Sequence, residues 1–77
     1  MNYLKKYADQ VKYISDEMKA GNLSPAQGAV QLQAVAVLAE QDADEMEDAV
    51  YAARLRKFAD MIYGVIEKMQ SGRRVVQ

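Results

Sequence analysis

Gly21-Asn22-Leu23-Ser24-Pro25-Ala26-Gln27 is the stretch whose chemistry decides the fold. Glycine tolerates the left-handed backbone that closes a helix, and Leu23 is placed to fold back onto the last turn. Ser24 is a good N-cap, Pro25 suits the first helical position, and Gln27 completes a capping box. One helix therefore ends and another begins within a few residues. So short a loop makes the two helices antiparallel neighbours.

Upstream of this junction, Leu4, Tyr7, Val11, Ile14 and Met18 recur at alternating spacings of three and four. That period predicts a helix over about 2–20 with one apolar face. Lys5, Lys6, Asp9, Lys12, Asp16 and Glu17 fall largely off the stripe. Downstream, the helix over 25–40 carries two apolar stripes. One holds Gly28, Leu32, Val35, Ala36 and Ala39; the other holds Val30, Ala34 and Val37. Apolar residues on two faces predict packing on two sides.

Farther along, Tyr51, Leu55, Phe58, Ile62, Val65 and Met69 form a third, narrow stripe with Ile66 beside it. The Leu32 stripe continues through Ala43, Met46 and Val50, whereas the third stripe run backwards meets Asp44, Glu47 and Asp48. The buried face must change near residue 50. Two arrangements satisfy this. Either the helix breaks around 40–44 and a third helix covers 42–70, or one long helix of ~70 Å changes packing partners midway. Ser71-Gly72 then reads as a stop and 71–77 as a frayed tail. The expected fold class is all-α in a single domain. A helical hairpin is followed by a third helical segment, as a three-helix bundle or a hairpin with one long arm.

The chain has 77 residues, no cysteine and no histidine. A chain this short buries only ~60% of its unfolded surface. It has neither a disulfide nor a thiolate metal site to add stability. Self-association is the remaining device. The stripe Tyr51, Leu55, Phe58, Ile62, Val65 and Met69 is the candidate self-association surface, and a homodimer the expected state.

Missing histidine and cysteine also remove the commonest general base and metal ligands. Gly21, Gly28, Gly64 and Gly72 lie too far apart for a phosphate loop, and Ser24 is explained as a cap. Catalysis, cofactors and metals are therefore not expected. A net charge of −1 from 10 basic and 11 acidic residues argues against broad attraction to nucleic acid or anionic membrane. No apolar run approaches the ~20 residues of a membrane span, and the start of the chain lacks a signal-peptide core. A cytoplasmic location is expected.

Charge is concentrated in Glu40, Asp42, Asp44, Glu45, Glu47 and Asp48. These acids read as a solvated helix terminus, or as a docking face for a basic partner. A calcium loop fails because Met46 occupies the next alternate position and no turn glycine follows. The six acids are the candidate partner-binding residues. Arg54, Arg56 and Lys57 form a small basic group, with Lys68, Arg73 and Arg74 another. The helix after the Gly21–Ser24 turn opens without Lys or Arg, which makes it a poor reader of DNA. Of the five tyrosines and five methionines, Tyr3, Tyr13, Met61 and Tyr63 lie off or at the edge of the stripes, where they suit an interface. The expected function is a non-enzymatic protein–protein interaction module, a small self-associating adaptor or inhibitor that binds a larger protein. The alternative is a nucleic-acid-related protein: a dimeric DNA binder through Arg54, Arg56 and Lys57, or an acidic DNA mimic.

Overall fold

The computed structural model describes residues 2–73, the side chains of residues 71–73 excepted. Three helices follow one another: α1 (Tyr3–Lys19), α2 (Pro25–Glu45) and α3 (Ala49–Arg73). Each boundary has a chemical cause. Asn2 caps α1 by accepting the Lys5 N–H at 3.0 Å. Gly21, at φ 84°, closes it. The Gly21 N–H donates to the Met18 carbonyl at 3.1 Å and the Asn22 N–H to Glu17 at 2.9 Å. This pair of bonds defines a Schellman motif. At the start of α2, Ser24 Oγ accepts the Gln27 N–H at 3.1 Å, and the Ser24 N–H donates to Gln27 Oε1 at 2.9 Å. The expected capping box is present in full.

The second connection differs from expectation in position. The chain does break between two helices, so no long arm forms. But α2 continues past 40–44 to Glu45, and α3 begins at Ala49 rather than at 42. Ala43 is buried and extends the inner stripe of α2 by one more turn. Met46 then turns extended, at φ −88° and ψ 135°. Asp48 starts the next helix: its Oδ1 accepts the Val50 N–H at 3.0 Å and the Tyr51 N–H at 3.1 Å. At the far end, Ser71-Gly72 do not stop α3, which is helical through Arg73. Residues 74–77 of the expected tail lie outside the described residues.

Packing follows from these turns. Tyr7 bonds Asp42 across α1 and α2, and Met18 lies against Gly28, so these two helices run antiparallel. A Cβ on Gly28 would collide with the Met18 thioether. The pairs Arg56–Asp44 and Tyr63–Glu40 set α3 antiparallel to α2. Helices α1 and α3 meet chiefly at their starts, where the Leu4 N–H donates to Tyr51 Oη at 3.2 Å. The molecule measures 45 × 26 × 13 Å. Its thinnest dimension is close to one helix diameter of ~10–12 Å, so α2 lies in the middle of a flattened three-helix bundle.

The core lies along the inner face of α2. Gly28, Leu32, Val35, Ala36, Ala39 and Ala43 are buried there. Tyr7 and Ile14 meet them from α1, and Ala52, Leu55, Ala59, Ile62 and Ile66 from α3. Five of these residues are alanines, whose small size lets the backbones approach closely. Helix α2 is flanked on both sides, by α1 and α3, but neither neighbour covers its second apolar stripe. The second stripe, Val30, Ala34 and Val37, faces outward and is exposed. Val50 sits exposed on α3 instead of extending the Leu32 stripe.

Candidate functional site

The acidic run is divided among separate tasks. Glu40 and Asp42 sit on opposite flanks of the inner face of α2, since 200° of helical rotation separates them. Glu40 Oε1 accepts the Tyr63 hydroxyl of α3 at 3.1 Å. Asp42 accepts the Tyr7 hydroxyl of α1. The two acids act as clasps that fix both neighbours to α2. Burial, then the hydrogen bond to Asp42 and its negative charge, push the Tyr7 phenol up to about 12. Loss of hydration and the Glu40 carboxylate raise Tyr63 in the same direction. Asp44 pairs with Arg56 at 2.9 Å, and Asp48 caps α3. Glu45 and Glu47 are exposed and have no hydrogen-bond or ion-pair partner among the described residues. Asp44, Glu45, Glu47 and Asp48 stay exposed around the α2–α3 turn, while Glu40 and Asp42 are half-buried on opposite flanks of α2.

The expected self-association seam is similarly divided. Leu55 and Ile62 are buried against α2 within the chain. Tyr51, Phe58 and Met69 are half-buried beside them, and Val65 is exposed. Ile66, not Val65, continues the buried line. The middle of this seam finds its cover inside the protein.

Two other surfaces remain open. The first is the outer face of α2. Val30 is 68% exposed, Leu38 47% and Val37 37%, with Ala34 exposed among them. From Pro25 to Ala39 the helix has no charged residue. A groove of about 400 Å³ between α1 and α2 continues this face and includes Tyr13, Ile14, Gln31, Ala34 and Val35 in its lining. Tyr13, 63% exposed, stands on its rim. The second surface is a stripe on α3: Val50, Arg54, Lys57, Met61, Val65 and Lys68, all exposed. Their spacings of three and four keep them on one side of the helix. No acid lies on that line, and none of its three cations pairs with a carboxylate among the described residues. The second stripe as read from the sequence omits Leu38, although it stands four residues after Ala34 on the same face and within the same uncharged run.

Among the described residues no polar or charged side chain is fully buried, and no group of three or more acids is arranged to hold a metal ion. No described helix is long and apolar enough to cross a membrane. In comparisons with family models, curated proteins and solved structures nothing matches this chain, so a functional reading rests on its own surfaces.

Proposed function

We propose that this chain is a non-enzymatic protein–protein interaction module, a small helical adaptor or inhibitor that docks on a larger protein through the exposed stripe of α3. The observation that carries the reading is the composition of that stripe. Met61 and Val65 are 62% and 49% exposed, and Arg54, Lys57 and Lys68 flank them without acid partners. Methionine adapts to irregular apolar surfaces, while flanking cations speed encounter and fix register on a surface of opposite sign. The partner that fits is a protein with an apolar patch bordered by carboxylates.

The nucleic-acid alternative has less support. Arg56, one of its three named cations, is engaged by Asp44. Four of the acids a DNA mimic would present are engaged inside the chain.

The test compares the full chain with a Lys57→Glu, Met61→Glu double variant as bait in the source lysate, with circular dichroism as the check on folding. Both positions are exposed, so the variant should remain helical. The expected result is a protein retained by the wild type, released by moderate salt and lost with the variant. Equal retention by both baits would sink the α3 assignment. Salt-sensitive binding of the wild type to duplex DNA, with no protein retained, would transfer the reading to the alternative.

A further inference from the structure

We infer that the outer face of α2 is a two-fold interface that takes a second copy of this chain. The inference goes beyond the proposed function. It uses a different helix face, so either can fail alone.

The first argument is order. The exposed residues along this face are Gln27, Val30, Gln31, Ala34, Val37, Leu38 and Gln41. Their spacings of three and four trace a seam of coiled-coil type. They are also symmetric about Ala34. A two-fold axis through Ala34 sets two α2 helices antiparallel, with Val30 opposite Leu38, Gln31 opposite Val37, and Gln27 opposite Gln41. The smallest side chain stands at the crossing point, where backbones come closest. Val30, Val37 and Leu38 flank it together with the Gln31 amide, and Gln27 and Gln41 close the two ends. Positions three, four and seven residues either side of a centre match on any helix face; what favours a like partner is that residue types pair as well, Val30 with Leu38 and Gln27 with Gln41.

The second argument is charge. In an isologous interface the residues near the axis meet their own copies, so a charge there faces its like. The α2 strip has none: Pro25–Ala39 is uncharged and Gln41 continues the line, and the one acid lining the adjoining groove, Asp9, is paired with Lys5. Elsewhere the surface is highly charged, with Lys5–Asp9 and Lys12–Asp16 pairs along α1 and cations along α3. A heterologous partner requires no such neutrality.

The third argument is area, and it sets the strength. The strip from Gln27 to Gln41 is about 21 Å by about 10 Å, or roughly 200 Å² per copy. Tyr13 and the adjoining groove add to it. The sum falls short of the ~800 Å² per partner in a standard stable interface. The dimer should therefore dissociate on dilution through the micromolar range and not be obligate.

The experiment uses the full chain in sedimentation velocity across low to high micromolar concentration. The wild type should move from the 8.6 kDa chain mass toward twice that value. Ala34→Glu, at an exposed helical position, should stay folded by circular dichroism. Its dimerisation should weaken by at least about tenfold, because like charges are forced together. Lys57→Glu with Met61→Glu should leave dimerisation unchanged. The chain has no cysteine, so a cross-link supplies independent geometry. Ala34→Cys should oxidise rapidly to a disulfide-linked dimer, since residues on the axis approach within the ~4.4–6.8 Å Cα separation that a disulfide needs. Met61→Cys should not. A wild type that stays monomeric throughout, a dimer indifferent to Ala34→Glu, or equal cross-linking at both positions would each overturn the proposal.

Discussion

The two faces of α2 are built from nearly the same residues and have opposite fates. Leu32, Val35, Ala36 and Ala39 are buried; Val30, Ala34, Val37 and Leu38 are exposed. Neither size nor hydrophobicity separates the two sets. The neighbours do. Each flanking helix presents its own buried line, Tyr7 and Ile14 from α1, and Leu55, Ile62 and Ile66 from α3. Both are bound to α2 by Asp42 and Glu40, on opposite flanks of its inner face. A helix in the middle of a three-helix layer needs one face to complete the monomer. A second face of equal quality is then surplus to folding, which is the ground on which an interface between copies is proposed there.

The largest expected effect tests that division directly. Leu32→Ala should cost about 2–5 kcal/mol, the range for deleting a buried leucine side chain. Leu38→Ala should cost under about 0.5 kcal/mol at concentrations where the chain is monomeric. Urea melts at low micromolar protein measure both. Equal costs would mean that the second apolar stripe of α2 is covered after all, and that the outer face belongs to the fold.

Next in size is the clasp on the α1 side. Tyr7→Phe removes the hydroxyl that Asp42 accepts, in a part-buried setting, and should cost about 1–3 kcal/mol near neutral pH. The sign with pH follows from the raised pKa. Tyrosine is neutral when protonated, and a folded-state value of about 12 lies above the ordinary value of 10.0, so folding favours the protonated form. Its contribution is complete below pH 10 and is lost as pH rises through 12, a change of about 2–3 kcal/mol. Wild type and Tyr7→Phe should therefore converge in stability over that window. Tyr63, raised in the same direction, leaves a smaller alkaline loss in both proteins. Parallel curves would remove the Tyr7–Asp42 clasp from the account.

How much of this was legible in the sequence depended on which residue type carried each feature. The first connection could be read because Gly21, Ser24, Pro25 and Gln27 each have a strong local preference, and all are expressed in the structure. The second was placed several residues early. No Gly or Pro marks it, and its cap, Asp48, stood among five other acids of similar local character. Only long-range contacts separate their roles: Asp42 reaches Tyr7 and Asp44 reaches Arg56, over 35 and 12 residues of chain. The same limit applied to α3. Its stripe gave the buried Leu55 and Ile62 correctly, but Val65 and Ile66 are adjacent and equally apolar, and the angle of α2 decides which turns inward. The surfaces proposed for interaction were hardest to read. Exposed apolar residues match buried ones in type, and their significance emerges only after the core is filled.

The smallest expected effect concerns the acids left over. Glu45 and Glu47 have no partner among the described residues and lie where α2 ends and the loop begins. The last turn of α2 contains no basic residue, so Glu45 sits unfavourably at the negative end of the helix dipole. Glu45→Gln with Glu47→Gln should therefore change stability by less than about 0.5 kcal/mol, with any gain at low salt. The sharper consequence is in binding. If the acidic run were a docking face, these two residues would be its most accessible charges. Neutralising them would lower affinity for the captured target and flatten its salt dependence. If α3 is the docking face, affinity should hold and the salt response should stay that of Arg54, Lys57 and Lys68. Salt titration of the captured complex separates the two outcomes. An affinity loss here would mean that the comparison between the faces of α2 omitted its end, and that charge at the second connection matters more to binding than the apolar surfaces on either helix.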